Sequence, residues 1–206
     1  MQEIILASSS PRRRELLEQI GVPFRVLRLD APEVITKSEP DGIVRELSGQ
    51  KASAADRLLG GLAPDEESRI ILGADTIVWA GGQVLGKPGD ENRAKEMIRM
   101  LQGRAHEVYT GVTLLCRDMR YPGKVRTDTF FARTLVHVHA MTDEEIDAYV
   151  RTGDSLDKAG AYGIQGPFAA YIDGIEGDYC NVVGLPVSMV WQHLQQICEA
   201  RREEYV

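Results

Sequence analysis

Short apolar strands alternate with amphipathic helical segments along the whole chain, and this alternation constrains the fold more than any other feature. Glu3 to Ala7 predicts a strand, and Pro11 then opens a helical segment that ends near Gly21. The alternation continues to a final helix that begins at Pro186, without a repeat or a linker-like stretch. We therefore expect a single domain over residues 1–206, with an α/β fold in which helices flank a mixed central sheet.

Local sequence signals mark the ends of several internal elements. The Gly81-Gly82 pair between two apolar runs predicts a two-residue hairpin turn. Asp90 predicts the start of a helix, because an aspartate can accept a hydrogen bond from the first free N–H groups. Thr142 and Glu145 have the spacing of a capping box and predict the start of another helix.

Longer segments are predicted from the spacing of their apolar residues. The segment from about Asp41 to Leu59 predicts a helix that Gly49 interrupts. Glycine, aromatic and β-branched residues between Ala159 and Val183 predict strands and turns. In the final helix, helical spacing predicts that Trp191 faces inward.

Composition excludes several classes of partner. The chain has 24 basic and 31 acidic residues, a net charge of −7, which disfavours non-specific binding to nucleic acid. No apolar run approaches the roughly 18 residues of a membrane span, and no leader-like segment opens the sequence. Three widely spaced cysteines indicate neither a disulfide framework nor a zinc site. We therefore expect a cytoplasmic protein with no nucleic-acid or membrane partner, in which any anionic ligand needs a local basic site.

The segment Ser8 to Arg14 is a candidate for such a basic site. It places three serines and three arginines where the first strand passes into the first helix. Free N–H groups, the helix dipole and forked guanidinium donors all attract phosphate there. The alternative is a serine N-cap followed by surface arginines. The arginines favour the anion site, because without an anion they would lie at the unfavourable end of the dipole.

Asp75 is the candidate for catalytic chemistry, because it interrupts an otherwise apolar strand. A buried carboxylate must be protonated, paired, or bound to a metal or a reacting water. A structural acid that caps a loop is the alternative. The functional interpretation requires a matching set of cations.

Two other patterns are not interpreted as binding motifs. The run from Gly81 to Lys87 has the glycine spacing of a P-loop, but Pro88 stands where a Mg²⁺-binding hydroxyl belongs. Lys87 is kept as a single charge that the short hairpin holds near the strand of the candidate acid. His137 and His139 share a face of a predicted strand, and that half-exposed face explains them better than a metal does.

Five segments taken together resemble the Maf family. The resemblance implies a nucleoside triphosphate pyrophosphatase that cleaves between the α- and β-phosphates and uses a divalent cation, Mg²⁺ or Mn²⁺. It also implies an elongated α/β fold similar to inosine triphosphate pyrophosphatases, with two lobes around one cleft, and a homodimer is possible. The segments are Ala-Ser-Ser-Ser-Pro-Arg-Arg-x-Glu-Leu-Leu (7–17), Gly-Ala-Asp-Thr-Ile-Val (73–78), Leu-Gly-Lys-Pro (85–88), Asp-Lys-Ala-Gly-Ala-Tyr-Gly-Ile-Gln-Gly (157–166) and Gly-Asp-Tyr-Cys-Asn-Val-Val-Gly-Leu-Pro (177–186).

The resemblance also implies roles for individual residues. Asp75 corresponds to the proton acceptor, and Glu33 together with Asp75 corresponds to acids near the metal. Three residues correspond to specificity positions: Arg12, Thr76 and Gln165. Five residues correspond to phosphate-binding positions: Ser8, Arg12, Arg13, Lys51 and Lys87.

The segment 157–166 distinguishes two branches of the family. It resembles the branch that acts on dTTP and UTP and on related pyrimidine nucleotides modified at the base. The branch that acts on 7-methyl-GTP tends to have Cys in place of Lys158 and Glu in place of Gln165. An amide can donate and accept toward a neutral pyrimidine, while a carboxylate suits a cationic purine. The alternatives are a 7-methyl-GTP pyrophosphatase and a nucleotide-binding regulator of septum formation.

Overall fold

A computed structural model describes residues 2–29, 32–60, 68–118 and 124–203. It contains seven strands and six α-helices in these ranges. In chain order they are β1 Ile4–Ala7, α1 Pro11–Gln19, β2 Phe24–Val26, α2 Pro40–Gly60, β3 Arg69–Ala80, β4 Gln83–Leu85, α3 Glu91–Leu101, β5 Ala105–Arg117, β6 Val125–Val138, α4 Asp143–Val150, β7 Ile172–Glu176, α5 Tyr179–Val183 and α6 Val187–Glu203.

All seven strands belong to one sheet, with the order β2-β1-β3-β5-β6-β7 and β4 paired to β3. β1 runs parallel to β2 and β3, whereas β4 is antiparallel to β3 and β7 is antiparallel to β6. The predicted mixed α/β sheet with helices is therefore confirmed. In the β1–β3 register Ala7 lies opposite Gly73, so the carboxyl end of β1 and the segment that follows Gly73 lie at one edge.

The chain divides into two compact units. Unit 1 comprises residues 1–75, 111–131 and 184–206, and unit 2 comprises residues 76–110 and 132–183. The expected single domain and the expected cleft between two lobes stay predictions. Within the described ranges, no helix combines the length and the apolar composition needed to cross a membrane.

Two glycines bring α2 directly onto the sheet in unit 1. A Cβ atom on Gly73 would lie 2.7 Å from the Ala52 backbone nitrogen and closer still to the carbonyl oxygen of Ser48. A Cβ atom on Gly111 would overlap the carbonyl oxygen of Val44. The helix backbone therefore rests on β3 and β5, at a distance that only glycine permits.

Each unit has its own apolar core. In unit 1, buried Ala52 and Ala55 of α2 pack with residues of β1, β3 and β5, including Ile71 and Leu115. In unit 2, α3 and α4 pack with Phe168, whose side chain is fully buried. The small alanines allow the close approach of α2, since larger side chains would separate the helix from the sheet.

The local signals predicted their elements correctly. Gly81 and Gly82 have φ angles of 59° and 77° and form the turn between β3 and β4. The Asp90 side chain accepts a hydrogen bond from the Arg93 N–H at the start of α3. Thr142 and Glu145 form the expected capping box.

Three longer-range expectations were wrong. α2 continues through Gly49 without interruption, because its packing on the sheet outweighs the low helix propensity of one glycine. The region 159–183 contains two short 3₁₀ helices and α5, with β7 as its one strand in the described structure. The Trp191 side chain is 40% exposed and does not face the core.

Candidate active site

The junction between β1 and α1 presents the first part of the site. Ser10 occupies the N-cap position of α1, but its side chain makes no capping hydrogen bond. Its backbone N–H instead donates to Ser8 Oγ at 3.1 Å. The first turn of α1 contains no acidic residue and begins Pro-Arg-Arg-Arg. The structure therefore contradicts a side-chain N-cap and leaves a positive helix end with added positive charge, which favours an anion.

Arg13 is the buried anchor of this junction. Its Nε donates to the carbonyl oxygen of Gly184 at 2.9 Å, and its Nη1 donates to Ser8 Oγ at 3.2 Å. Burial lowers the pKa of Arg13, whereas the negative charges of Asp75 and Glu33 act in the opposite direction. Two of its hydrogen bonds go to the neutral oxygens of Gly184 and Ser8, and its guanidinium adds positive charge to the start of α1.

The sequence alone indicated no role for Gly184, which lies 177 positions after Ala7, the last residue of β1. Its segment, Val-Val-Gly-Leu-Pro, was recognised only as part of the resemblance. Gly184 has a φ of 132°, a backbone conformation that residues other than glycine rarely adopt. This glycine before a leucine and a proline was the only local signal that the carbonyl group could have a special direction.

Lys51, Asp75 and Glu33 form the second part of the site. Lys51 Nζ lies 2.9 Å from Glu33 Oε1 and also donates to Asp75 Oδ1. The Asp75 side chain is 13% exposed, and that of Glu33 is 51% exposed. Of the states expected for a buried carboxylate, the structure shows Asp75 paired, and its partner is a lysine from α2.

The close approach of α2 to β3 explains this contact. Gly73 and Asp75 are two positions apart on β3, so they lie on the same face of the strand. That face meets α2, where the neighbours of Gly73 are Ser48 and Ala52. Lys51 lies between Ser48 and Ala52 on the same helix, and its ammonium therefore reaches the carboxylate of Asp75.

The two carboxylates also suit a divalent cation. Lys51 contacts one oxygen of each, so within the described ranges a second oxygen of Asp75 and of Glu33 is available. Carboxylate oxygens are ligands that Mg²⁺ and Mn²⁺ accept. No group of three or more His, Cys, Asp or Glu side chains is arranged for a metal among the described residues. A cation here would therefore take further ligands from phosphate oxygens and water, as Mg²⁺ usually does.

Six of the nine predicted site residues thus belong to one region of unit 1. Besides burial, the charge of Arg12 lowers the pKa of Arg13, so Arg12 lies close to the same region. The six are Ser8, Arg12, Arg13, Glu33, Lys51 and Asp75. They combine four groups that can bind anions with two carboxylates, a composition that suits a phosphate ligand together with a divalent cation.

The other three predicted residues belong to unit 2. Thr76 Oγ1 lies 2.9 Å from Thr110 Oγ1. Lys87 and Gln165 are exposed. The backbone N–H of Gly160 donates to the carbonyl oxygen of Gly86 at 3.1 Å, so the segments that carry Lys87 and Gln165 are joined.

His137 of β6 and His139, which follows β6, have carboxylate partners. His137 Nε2 lies 2.8 Å from Glu176 Oε1, and His139 Nδ1 lies 2.8 Å from Asp173 Oδ1. Both partners belong to β7, which pairs with β6. Each histidine therefore pairs with a carboxylate of the neighbouring strand β7.

Comparisons with known proteins find relatives that match nearly the whole chain. The family profile described as Maf-like protein matches residues 3–197. A protein of Agathobacter rectalis named dTTP/UTP pyrophosphatase is 47% identical over 96% of this chain and 98% of its own length. A Bacillus cereus protein of the same name is 48% identical over 95% of this chain and 96% of its own length.

Among solved structures, the Staphylococcus aureus Ham1 protein aligns with 66% of this chain and 72% of its own, at 13% identity and a TM-score of 0.38. That similarity is weak. The family profile and the two relatives each cover nearly the whole chain. The chain belongs to the Maf family.

Proposed function

We propose that this protein hydrolyses dTTP and UTP to the nucleoside monophosphate and pyrophosphate. The observation that carries the proposal is the contact of Lys51 with both Asp75 and Glu33. In unit 1 this cluster accompanies the anion-attracting start of α1. Relatives at 47% and 48% identity, named dTTP/UTP pyrophosphatase, support the choice of nucleotide.

The reaction is attack of water on the α-phosphorus. A new bond forms between the water oxygen and the α-phosphorus, and the bond from that phosphorus to the α,β-bridging oxygen breaks. Pyrophosphate leaves with the bridging oxygen. Asp75 accepts the proton that the water loses, because a carboxylate within reach of the water can act as general base.

The cationic groups of the chain bind and orient the triphosphate. Ser8, Arg12 and Arg13 lie at the start of α1, where the backbone N–H groups and the guanidiniums attract the phosphate oxygens. Lys51 and Lys87 add two point charges. Fixed positive groups stabilise the charge that develops on the leaving pyrophosphate.

Asp75 and Glu33 would hold a divalent cation, Mg²⁺ or Mn²⁺. When bound, this cation would neutralise phosphate charge and lower the pKa of a coordinated water. Lys51 contacts both carboxylates and so keeps them on the same side of α2.

Recognition of the base is assigned to Gln165, with Thr76 and Arg12. The exposed amide of Gln165 can donate and accept at once, which matches the O4 and N3–H edge of uracil and thymine. A location in the cytoplasm, the absence of nucleic-acid and membrane partners, and a homodimer stay predictions that accompany this proposal.

The test is pyrophosphate release with Mg²⁺ from a panel of nucleotides: dTTP, UTP, CTP, 7-methyl-GTP, ATP and GTP. We expect dTTP and UTP to be hydrolysed fastest. A reaction in ¹⁸O-labelled water identifies the bond that is cleaved, because attack on the α-phosphorus places the label in the monophosphate. A label found in pyrophosphate would contradict the mechanism.

The panel also separates the alternatives. Fastest hydrolysis of 7-methyl-GTP would overturn the assignment of Gln165 to pyrimidines but keep the chemistry. Binding of dTTP without any turnover would overturn the enzymatic proposal and favour a regulatory nucleotide-binding protein.

A further inference from the structure

The segment that carries Gln165 packs on Lys158, whose ammonium is surrounded by protein oxygens. Lys158 Nζ lies 2.7 Å from the carbonyl oxygen of Asp154, 3.0 Å from Asp154 Oδ1 and 2.7 Å from Asp157 Oδ1. An ammonium has three donors, and three oxygens surround this one. The Lys158 side chain is only 15% exposed. Its three donors are therefore taken up by oxygens of Asp154 and Asp157.

Two glycines place the backbone of this segment against the same pair of side chains. A Cβ atom on Gly163 would lie 2.8 Å from Lys158 Cε. A Cβ atom on Gly166 would lie 2.7 Å from Asp154 Oδ2. These two glycines flank Gln165, so the Lys158–Asp154 pair forms the surface on which the Gln165 backbone lies.

Tyr149 of α4 ties the pair to the rest of the segment. Its hydroxyl lies 3.1 Å from Asp154 Oδ2 and 3.2 Å from the carbonyl oxygen of Ala161. Burial is the main cause that raises the pKa of Tyr149, so the hydroxyl keeps its proton and remains a donor. Ala161 has a φ of 60°, a left-handed conformation that a residue with a Cβ atom adopts when its surroundings hold it there.

We infer that Lys158 and Asp154 are positioning residues for base recognition: their ion pair fixes the backbone of residues 160–166 and thereby the direction of the Gln165 amide. This inference rests on the proposed function, since it concerns recognition of the base at the same site. The residue at 158 acts on specificity through the loop and not by contact with the nucleotide.

The inference makes a prediction about coupling. Without the pair, Gln165 would sample several directions, and its hydrogen bonds to the base would weaken. Lys158 would then have no influence on base discrimination once Gln165 itself is removed. A direct contact between Lys158 and the nucleotide would instead give two independent effects.

The experiment is a double-mutant cycle with Lys158→Met and Gln165→Ala. UTP and CTP are the substrates, because they differ only at the edge of the base that an amide would read. We expect Lys158→Met to lower the ratio of kcat/KM for UTP over CTP by about tenfold, mainly through the KM for UTP. In the Gln165→Ala background the same change should alter the ratio by less than about twofold.

Lys95→Met is the matched control. Lys95 also belongs to unit 2, its side chain is 24% exposed, and its ammonium lies 2.8 Å from Asp147 Oδ1. It is part of α3, and its ammonium pairs with Asp147 of α4 rather than with Asp154 or Asp157. We expect it to leave the UTP to CTP ratio unchanged. Asp154→Asn is the second variant, for use if the Lys158→Met protein does not fold. We expect it to lower the UTP to CTP ratio as Lys158→Met does.

Calorimetric titration of UMP into the same variants separates the inference from the proposed function. A wild-type protein that binds UMP but releases no pyrophosphate would overturn the proposed function, and the UMP affinities would then report on Lys158. Equal effects of Lys158→Met with and without Gln165 would overturn the inference, as would an equal effect of Lys95→Met. A wild type that neither discriminates UTP from CTP nor binds UMP would overturn both.

Discussion

Helix α2 carries two clusters of charge, five residues apart, that use the same chemistry in opposite proportions. At Asp56, one carboxylate is shared by two guanidiniums: Arg117 Nε and Nη2 bind its two oxygens at 2.7 Å each, and Arg69 Nη2 lies 3.5 Å away. At Lys51, one ammonium is shared by two carboxylates, those of Asp75 and Glu33.

The ratio of carboxylates to cationic groups determines what each cluster can bind. Both oxygens of the Asp56 carboxylate are occupied by a forked guanidinium, so this carboxylate is not available to a metal ion. The Lys51 cluster has one more carboxylate than it has ammonium groups, and each carboxylate has a second oxygen. A saturated ion cluster stabilises the fold, whereas an unsaturated one with excess negative charge is suited to a divalent cation or a reacting water.

The largest expected effect is that of Asp75→Asn. This change removes the proposed proton acceptor and half of the proposed metal-binding pair, so we expect kcat/KM for dTTP to fall by at least about 10³-fold. Nucleotide affinity should be retained, because the arginines at α1 remain. Initial rates of pyrophosphate release and titration with dTTP measure the two quantities.

Asp128→Asn is the control for this prediction. Asp128 is another partly buried aspartate of unit 1, and its carboxylate lies 2.7 Å from His193 Nδ1. Its loss should leave kcat/KM within about twofold of the wild type. An Asp75→Asn protein with wild-type turnover would show that the Lys51 cluster is structural, like the Asp56 cluster.

Asp56→Asn should have the converse effect. It removes the one carboxylate that two buried or half-buried guanidiniums share, and we expect the free energy of unfolding to fall by about 3 kcal/mol. Turnover per folded molecule should be unchanged. Urea unfolding followed by circular dichroism measures the loss. Asp41→Asn, which removes an exposed i,i+4 pair with Arg45 on the same helix, should cost less than about 0.5 kcal/mol.

The two clusters also show which features of this molecule the sequence could predict and which it could not. Local signals such as the Gly81-Gly82 turn and the Thr142 capping box were interpreted correctly, because neighbouring residues alone determine those structures. The site residues were identified from motifs, and the contact of Lys51 with Asp75 agrees with that identification. Their assigned roles remain for experiment.

Long-range partners could not be predicted in the same way. In the sequence, Asp56 is one acid next to Arg57 on a helix, and nothing local indicates that its partners are Arg69 and Arg117. The exposure of Trp191 was missed for a related reason. Helical spacing identifies the apolar face of a helix, but the neighbouring elements determine how much of that face is covered.

Lys51→Met tests the unsaturated cluster at its shared ion. We expect kcat/KM for dTTP to fall by about 100-fold, which corresponds to about 2.7 kcal/mol of transition-state stabilisation. Stability should change by less than about 1 kcal/mol, because one of the two ion pairs lost is with a half-exposed glutamate. A large loss of stability with normal turnover of the folded protein would instead give Lys51 the same structural role as Asp56.

Glu33→Gln should have a smaller effect on the same cluster. Asp75 and the phosphate oxygens would still bind a cation, so we expect about a tenfold rise in the Mg²⁺ concentration that gives half-maximal turnover, about 1.4 kcal/mol. Glu39→Gln, at an exposed acid six residues further on, is the control. An unchanged Mg²⁺ dependence of the Glu33→Gln protein would remove Glu33 from the proposed metal site.

The smallest expected effect is the pH dependence of stability that Asp56 contributes. The hydrogen bonds from Arg117 are the main cause that lowers the pKa of Asp56, and the charges of both arginines add to them, while burial acts in the opposite direction. In the unfolded chain an aspartate has a pKa of about 3.9. Since the folded pKa is the lower of the two, the stabilisation is fully present above about pH 4 and is lost as the pH falls through the folded pKa.

The difference in urea midpoint between the wild type and Asp56→Asn isolates this contribution, because the other carboxylates titrate in both proteins. We expect the difference to be constant from pH 7 to about pH 5 and to shrink below about pH 4. An unchanged difference at pH 3 would mean that the contribution of Asp56 does not depend on its charge. The cluster would then stabilise the fold by its hydrogen bonds alone, and the proportion of charges would not be what distinguishes it from the cluster at Lys51.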